Sequence, residues 1–101
     1  MDINFEYDGV TASDRLEIMM AEKLDKLSNK YEFMIRADVF FTTENTSDPE
    51  TGMICKIKAS MPGPLLFAES SHKNFETAIA ESVNDLERQL RKKKTKMQSH
   101  H

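Results

Sequence analysis

The side chains best able to do chemistry in this sequence are lysines and arginines near its C-terminal end. Six of them fall between positions 88 and 96 with no acidic residue among them: Arg88, Arg91, Lys92, Lys93, Lys94 and Lys96. A sparser series, Lys23, Lys26 and Lys30, recurs at spacings of three and four. Residues at these spacings share one side of a helix. There they could meet successive phosphates of a nucleic acid and release its condensed counterions.

The charge of the chain is distributed unevenly. Its 101 residues carry a net charge of −3, yet residues 1–71 hold 7 basic against 13 acidic side chains, and residues 72–101 hold 7 basic against 4 acidic ones. The local positive excess leaves three interpretations open. It could bind nucleic acid, it could be a solvated helix end whose cations favour the helix dipole, or it could be attracted to a membrane surface.

Residues that could support catalysis or bind a metal are isolated from one another. Cys55, the single cysteine, sits at an alternating position of a predicted strand and is expected to be a buried, inert thiol. His72 is expected in a loop or capping role, and His100 and His101 are terminal. The three glycines are scattered, so there is no glycine-rich phosphate loop. We predict no catalytic residue, cofactor, metal or small-molecule substrate, and therefore no enzymatic activity.

Hydrophobic periodicity predicts six elements. Alternation of apolar and polar residues indicates four strands, at about residues 3–7, 33–41, 55–61 and 65–70. Apolar residues three and four apart indicate two amphipathic helices. The first spans about 14–29 with Ser13 as its N-cap. The second spans 72 to the mid-nineties, is capped by Ser70 or Ser71, and frays beyond Lys96.

These elements predict an α+β fold in the order β-α-β-β-β-α. Two helices with one apolar stripe each would pack on one face of a four-stranded sheet, giving a two-layer sandwich. Short turns join the last three strands, which should form an antiparallel meander. We expect one domain over residues 1–97 and a disordered tail over 98–101. With no secretory signal, membrane span or large exposed apolar stretch, we expect a cytoplasmic protein that contacts no membrane and is a monomer when free.

Two helical segments resemble a known family. Residues 78–92 read AIAESVNDLERQLRK, which looks like the last helix of the ribosome hibernation-promoting factors and ribosome-associated inhibitor A. That helix typically reads A-I-x-x-x-(I/V)-x-K-L-x-R-Q-L-x-K. Residues 23–27, KLDKL, resemble the (K/R)-(L/F)-x-K-L of the family's first helix. The element order and the chain length also fit the family.

The resemblance implies a non-enzymatic translation inhibitor. Such proteins bind the small ribosomal subunit through the ribosomal RNA backbone, in the channel that mRNA and the tRNA anticodon ends would occupy. The family's basic positions are matched by Lys23, Lys26, Arg88 and Lys92. From charge alone we add Lys30, Arg91, Lys93 and Lys96 to the expected RNA-binding residues, and we expect the two helices to present them as one surface. Lys94 belongs to the same run.

The sequence departs from the family at two positions and leaves other functions open. Asp85 stands where the family usually has lysine, and Glu76 where it usually has tyrosine, so each would place a negative charge near the expected RNA surface. The chain has the length of a short-form member. The main alternative is a protein-interaction module that docks an acidic partner, such as a transcription factor, through the same basic helix. A dedicated double-stranded RNA binder is a third possibility.

Overall fold

The structure is a computed structural model and describes residues 1–98. It contains six elements in the predicted order: β1 (Asp2–Asp8), α1 (Asp14–Lys30), β2 (Arg36–Thr43), β3 (Met53–Ser60), β4 (Leu66–His72) and α2 (Phe75–Gln98). The β-α-β-β-β-α prediction is confirmed. Residue 98 belongs to α2, so this helix extends past Lys96, where fraying was expected. Residues 99–101, the rest of the predicted tail, lie outside the described residues.

The four strands form one mixed sheet in the order β1-β2-β3-β4. β1 runs parallel to β2, an arrangement that needs a crossover connection, and α1 provides it. β2, β3 and β4 pair antiparallel, which confirms the predicted meander. The register aligns Val39 with Ile57 and Ile57 with Ala68, so the buried positions of three strands lie in one row.

Both helices cover the same face of the sheet. Their buried residues join those of the strands in one core, to which α1 contributes Leu16, Met20, Leu24 and Leu27, and α2 contributes Ala78, Ile79, Val83, Leu86 and Leu90. Phe41 is fully buried in β2, and its ring lies 5.3 Å from that of Tyr7 and 5.5 Å from that of Phe75, centroid to centroid. The predicted two-layer sandwich is therefore confirmed.

The helix starts agree with the prediction for α1 and differ for α2. Ser13 caps α1, since its side chain accepts the Leu16 N–H. The expected cap of α2 by Ser70 or Ser71 is wrong. β4 continues through both serines, and the Ser71 hydroxyl instead accepts the Gly52 N–H at 2.9 Å. Asn74 caps α2, because its Oδ1 accepts the Thr77 N–H at 2.8 Å.

Replacing Asn74 by alanine should lower the free energy of unfolding by about 1 kcal/mol, because the Thr77 N–H would lose its acceptor. Urea denaturation followed by circular dichroism measures this loss. Asn74→Asp retains a side-chain oxygen and should retain most of the stability. Equal destabilisation by both substitutions would contradict the capping role.

Candidate nucleic-acid interface

The two helices run parallel and are joined by ion pairs at both ends of α1. Arg15, in its first turn, pairs with Glu76 in the first turn of α2. Lys30, in its last turn, pairs with Glu87 at 3.0 Å. The N-terminal ends of the two helices therefore lie side by side, and the last turn of α1 faces the middle of α2.

One group of cations lines the space between the helices, which we term the α1–α2 groove. Lys23, Lys26 and Lys30 line it, with Leu27 and Val83 at its apolar base and Glu87 on the α2 side. Arg91 stands one turn after Glu87 and acts electrostatically on both Glu87 and Lys30. The groove thus brings together three of the expected RNA-binding residues and Glu87, and Arg91 is near enough to act on that carboxylate.

Glu87 organises the α2 side of this groove. It accepts hydrogen bonds from Lys30 Nζ at 3.0 Å and from the Tyr31 hydroxyl at 3.5 Å. The hydrogen bond from Lys30 holds the pKa of the Glu87 carboxyl below its usual range, and the same bond raises the pKa of Lys30. Glu87 therefore links α1 to α2 on the groove side.

We expect Glu87→Gln to be slightly less stable than the wild type at neutral pH. A carboxyl with a lowered folded-state pKa contributes stability that is present above its unfolded pKa and lost as the pH falls through the folded value. The two proteins should therefore converge in stability as the pH falls below about 4. Urea titrations across this range measure the difference; a difference that stays constant down to pH 2.5 would contradict the ion pair.

A second group of cations lies on the other side of α2, which we term the α2–β4 flank. Lys92, Lys93 and Lys96 line it together with Pro64, Leu66 and Gln89. Gln89 Nε2 donates to the Phe67 carbonyl at 2.8 Å, which fixes this side of α2 against β4. Arg88 is exposed and pairs with Asp85 at 3.5 Å. Six of the eight expected residues therefore line either the groove or the flank, and the exposed side chains of Arg88 and Arg91 lie on α2 outside both linings.

Lys94 belongs to the basic run that was singled out from charge, and the structure gives it a distinct position. Its Nζ lies 5.6 Å from the centroid of the Tyr31 ring, as does Lys30 Nζ. It also donates to the Lys30 carbonyl oxygen at 3.5 Å, at the C-terminal end of α1. Lys94 stands seven residues after Glu87, and this spacing places it on the α1-facing side of α2. That spacing was the signal in the sequence.

Both departures from the family pattern are compensated within the chain. Glu76 accepts from Arg15 at the start of α2, about 24 Å along the helix axis from Lys92, where the lysine run begins. Asp85 pairs with Arg88 and accepts from Gln89 Nε2 at 3.2 Å. Of the two, only Asp85 adds negative charge beside the basic residues.

Cys55 is fully buried in the core, where the Ser82 hydroxyl lies 3.4 Å from its Sγ. Burial raises the pKa of its thiol to about 11. We expect no reaction with a thiol reagent at pH 8 in the folded protein and complete reaction in 6 M guanidinium, because the thiolate is the reactive form. Rapid labelling of the folded chain would contradict this burial.

Within residues 1–98, no three His, Cys, Asp or Glu residues group as metal ligands, and no helix is long and apolar enough to cross a membrane.

Together the two-layer fold and the cation-rich helices define a small α+β protein with a basic surface on its helices. Its sequence between residues 3 and 98 matches the model of a family described as Sigma 54 modulation protein / S30EA ribosomal protein. The chain belongs to this family of ribosome-associated factors, which are not enzymes, and this confirms the predicted resemblance and the non-enzymatic prediction.

Solved structures share the fold. A ribosomal subunit interface protein from Coxiella burnetii aligns with a TM-score of 0.80 and 20% sequence identity, over 94% of this chain and 99% of its own. The N-terminal domain of Thermus thermophilus Protein Y aligns with a TM-score of 0.77 and 21% identity, over 91% of this chain and 98% of its own. Among curated proteins, none matches this chain.

Proposed function

We propose that this protein binds the small ribosomal subunit through the backbone of its RNA and holds the ribosome inactive by occupying the channel for mRNA and tRNA. The expected contacts are the groove and flank cations together with Arg88. Such a protein acts by occupancy in the cytoplasm, needs no cofactor, and is a monomer when free. Folded RNA is recognised mainly by shape and by its phosphates, which suits a surface rich in lysine and arginine.

The observation that carries this proposal is the α1–α2 groove. Three lysines of α1 line it, and Arg91 of α2 is near enough to act electrostatically on Glu87, although the chain as a whole is acidic. Their helices are fixed by a shared core and by the Lys30–Glu87 ion pair. A rigid arrangement of cations loses little conformational entropy when it meets a phosphate run. The description of the family as ribosomal, and the shared fold of the Coxiella burnetii ribosomal subunit interface protein, support the ribosome as partner.

Sedimentation of a cell lysate through sucrose tests the proposal. We expect the chain to migrate with small subunits and whole ribosomes and to be absent from free large subunits. We also expect translation of a reporter mRNA in a purified system to fall as the chain is added, and excess mRNA and tRNA to relieve the inhibition. Migration with free large subunits, or inhibition that competing mRNA and tRNA leave unchanged, would contradict occupancy of the channel.

A second candidate function is a protein-interaction module that docks an acidic partner on the same basic helix. The other half of the family description, sigma 54 modulation, favours it. The same gradient separates the two candidates, because a module of this kind stays in the top fractions and leaves no trace with ribosomal particles.

A further inference from the structure

We propose that the free edge of β1 binds an extended segment of a partner protein, in which basic and apolar residues alternate, by adding it to the sheet as a further strand. This edge lies apart from the cations of both helices. The inference goes beyond the proposed function and can be tested without ribosomes.

The main chain of β1 is unpaired on its outer side. The sheet order places β1 at one end, and Asp2 donates its N–H to the Ile35 carbonyl on the β2 side at 3.4 Å. Successive residues of a strand direct their N–H and C=O groups to alternate sides, so Ile3, Phe5 and Tyr7 direct theirs away from β2. Within residues 1–98, no other strand pairs with this outer side. A row of unpaired main-chain groups is a template for an added strand.

The opposite edge of the sheet, formed by β4, is partly occupied. Gln89 of α2 donates its Nε2 to the Phe67 carbonyl at 2.8 Å, and α2 packs along this strand. A strand that added here would have to displace this hydrogen bond. β1 is therefore the edge at which a strand can add without such a loss.

The side chains of β1 on the uncovered face of the sheet favour a basic strand. Alternate positions, spaced about 7 Å apart, carry three carboxylates and one amide: Asp2, Asn4, Glu6 and Asp8. Within residues 1–98 none of the three carboxylates forms an ion pair, although Arg36 acts electrostatically on Asp2 and Glu6. Side chains directly opposite each other on paired strands lie close enough to interact, so cations at alternate positions of an added strand would meet these carboxylates.

The same charges argue against self-association through this edge. A second copy of β1, paired antiparallel and in full register, would oppose Asp2 of one chain to Asp8 of the other. Like charges directly opposite each other destabilise a strand pair. The occupant that fits is therefore a basic segment of another protein and not a second copy of this chain.

The covered side of β1 favours apolar residues between the basic ones. Ile3, Phe5 and Tyr7 pack against the core but remain only half-buried at the end of the sheet. Apolar side chains on the same side of an added strand would remove more of this surface from water, which is favourable. The two sides of β1 together therefore select a segment that alternates between basic and apolar residues.

A hollow of about 270 Å³ beside the end of β1 suits arginine at the basic positions. Its lining includes Glu6, Asp8, the half-buried Phe40, and Lys56, which is paired with Glu69. A guanidinium can stack on an aromatic ring while it donates hydrogen bonds to a carboxylate. The ring of Phe40 and the carboxylates beside it offer both contacts.

A seven-residue peptide, as long as β1, in which arginine alternates with valine is the probe. Its binding to the purified chain is measured by isothermal titration calorimetry. We expect the triple substitution Asp2→Asn, Glu6→Gln, Asp8→Asn to weaken binding at least about tenfold, because three cross-strand pairs of opposite charge are lost.

The matched control is Glu44→Gln, Asp48→Asn, Glu50→Gln, which changes the net charge by the same amount in the exposed connection between β2 and β3. We expect this variant to bind the peptide within about twofold of the wild type, since these residues lie outside β1. Equal weakening by the two triple substitutions would mean that overall charge attracts the peptide, and it would overturn the inference.

Strand addition is tested separately with two N-methylated peptides. One is methylated at the main-chain nitrogen of every arginine and the other at that of every valine, so each loses the N–H groups along one of its edges. An added strand pairs through one edge only. We expect one peptide to bind like the parent and the other to lose binding. Equal affinities, or loss of binding by both, would overturn the inference.

Hydrogen exchange followed by nuclear magnetic resonance locates the added strand. We expect the amides of Ile3, Phe5 and Tyr7, which face away from β2, to exchange at least about tenfold more slowly when the peptide is bound. If these three amides exchange at the same rate with and without bound peptide, the peptide binds elsewhere and the inference is wrong.

Discussion

The triple substitution Arg88→Glu, Arg91→Glu, Lys92→Glu should abolish co-sedimentation with ribosomal particles. It replaces three cations by three anions on the exposed surface of α2. Of the three, Arg91 lies near Glu87 of the groove and Lys92 lines the flank. Each lost phosphate contact removes one released counterion, and each new carboxylate repels the backbone. We expect a loss of binding of at least about a thousandfold at 0.1 M salt.

The melting temperature of this variant should change little, because all three side chains are exposed. A matched control is Lys56→Glu, Lys58→Glu, Lys73→Glu, which changes the net charge by the same amount on the uncovered face of the sheet and in the connection before α2. The control should still sediment with ribosomes. If the control variant lost co-sedimentation to the same extent as the α2 variant, overall charge and not the α2 surface would govern binding. A collapse of the melting transition in the α2 variant would mean that its three residues are structural.

The largest effect on stability is expected from Phe41→Ala. Phe41 is fully buried in β2, stacks on Phe5 and Tyr7, and meets the Phe75 ring edge-on. It therefore joins β1, β2 and the first turn of α2. Truncation of a buried phenylalanine costs about 3–5 kcal/mol, which is a large share of the 5–15 kcal/mol that holds a typical domain together.

Equilibrium urea denaturation measures this loss, with Phe67→Ala as control. Phe67 is 52% exposed on the opposite face of the sheet, so its truncation should cost less than about 1 kcal/mol. Similar losses for the two substitutions would contradict the position of the core on one face. Because Phe41 lies in the core and away from the basic residues, Phe41→Ala should bind ribosomes normally under conditions where it remains folded.

The order of elements could be predicted because each one has a clear period. Cys55, Ile57, Ala59 and Met61 alternate with polar residues and all four are buried, as predicted. The fourth strand had a weaker signal, since Leu65, Leu66, Phe67 and Ala68 are apolar without a break. Ile35 continues the alternation of the buried residues Ala37, Val39 and Phe41, but β2 begins at Arg36 and Ile35 is 59% exposed.

The residues of the candidate site could be found by charge and spacing, but not their grouping. Which side of α2 faces α1 depends on how the two helices pack on the sheet, and no local pattern encodes that. In the sequence nothing distinguished Glu87 from the other acidic residues. In the structure it accepts hydrogen bonds from Lys30 and Tyr31 and so links α2 to the end of α1. The cap at Asn74 was missed because β4 extends two residues further than its alternation indicates, through serines that suit a cap equally well.

The most direct test of phosphate binding on the small subunit is a salt titration. Binding of the chain, labelled at its N-terminus, is measured with purified small and large ribosomal subunits from 0.05 to 0.4 M potassium chloride. If four to six phosphates are engaged, log K for the small subunit should fall against log salt with a slope of roughly −3 to −5, and binding to the large subunit should be much weaker. A flat salt response, or equal affinity for both subunits, would contradict the proposed binding to phosphates of the small subunit.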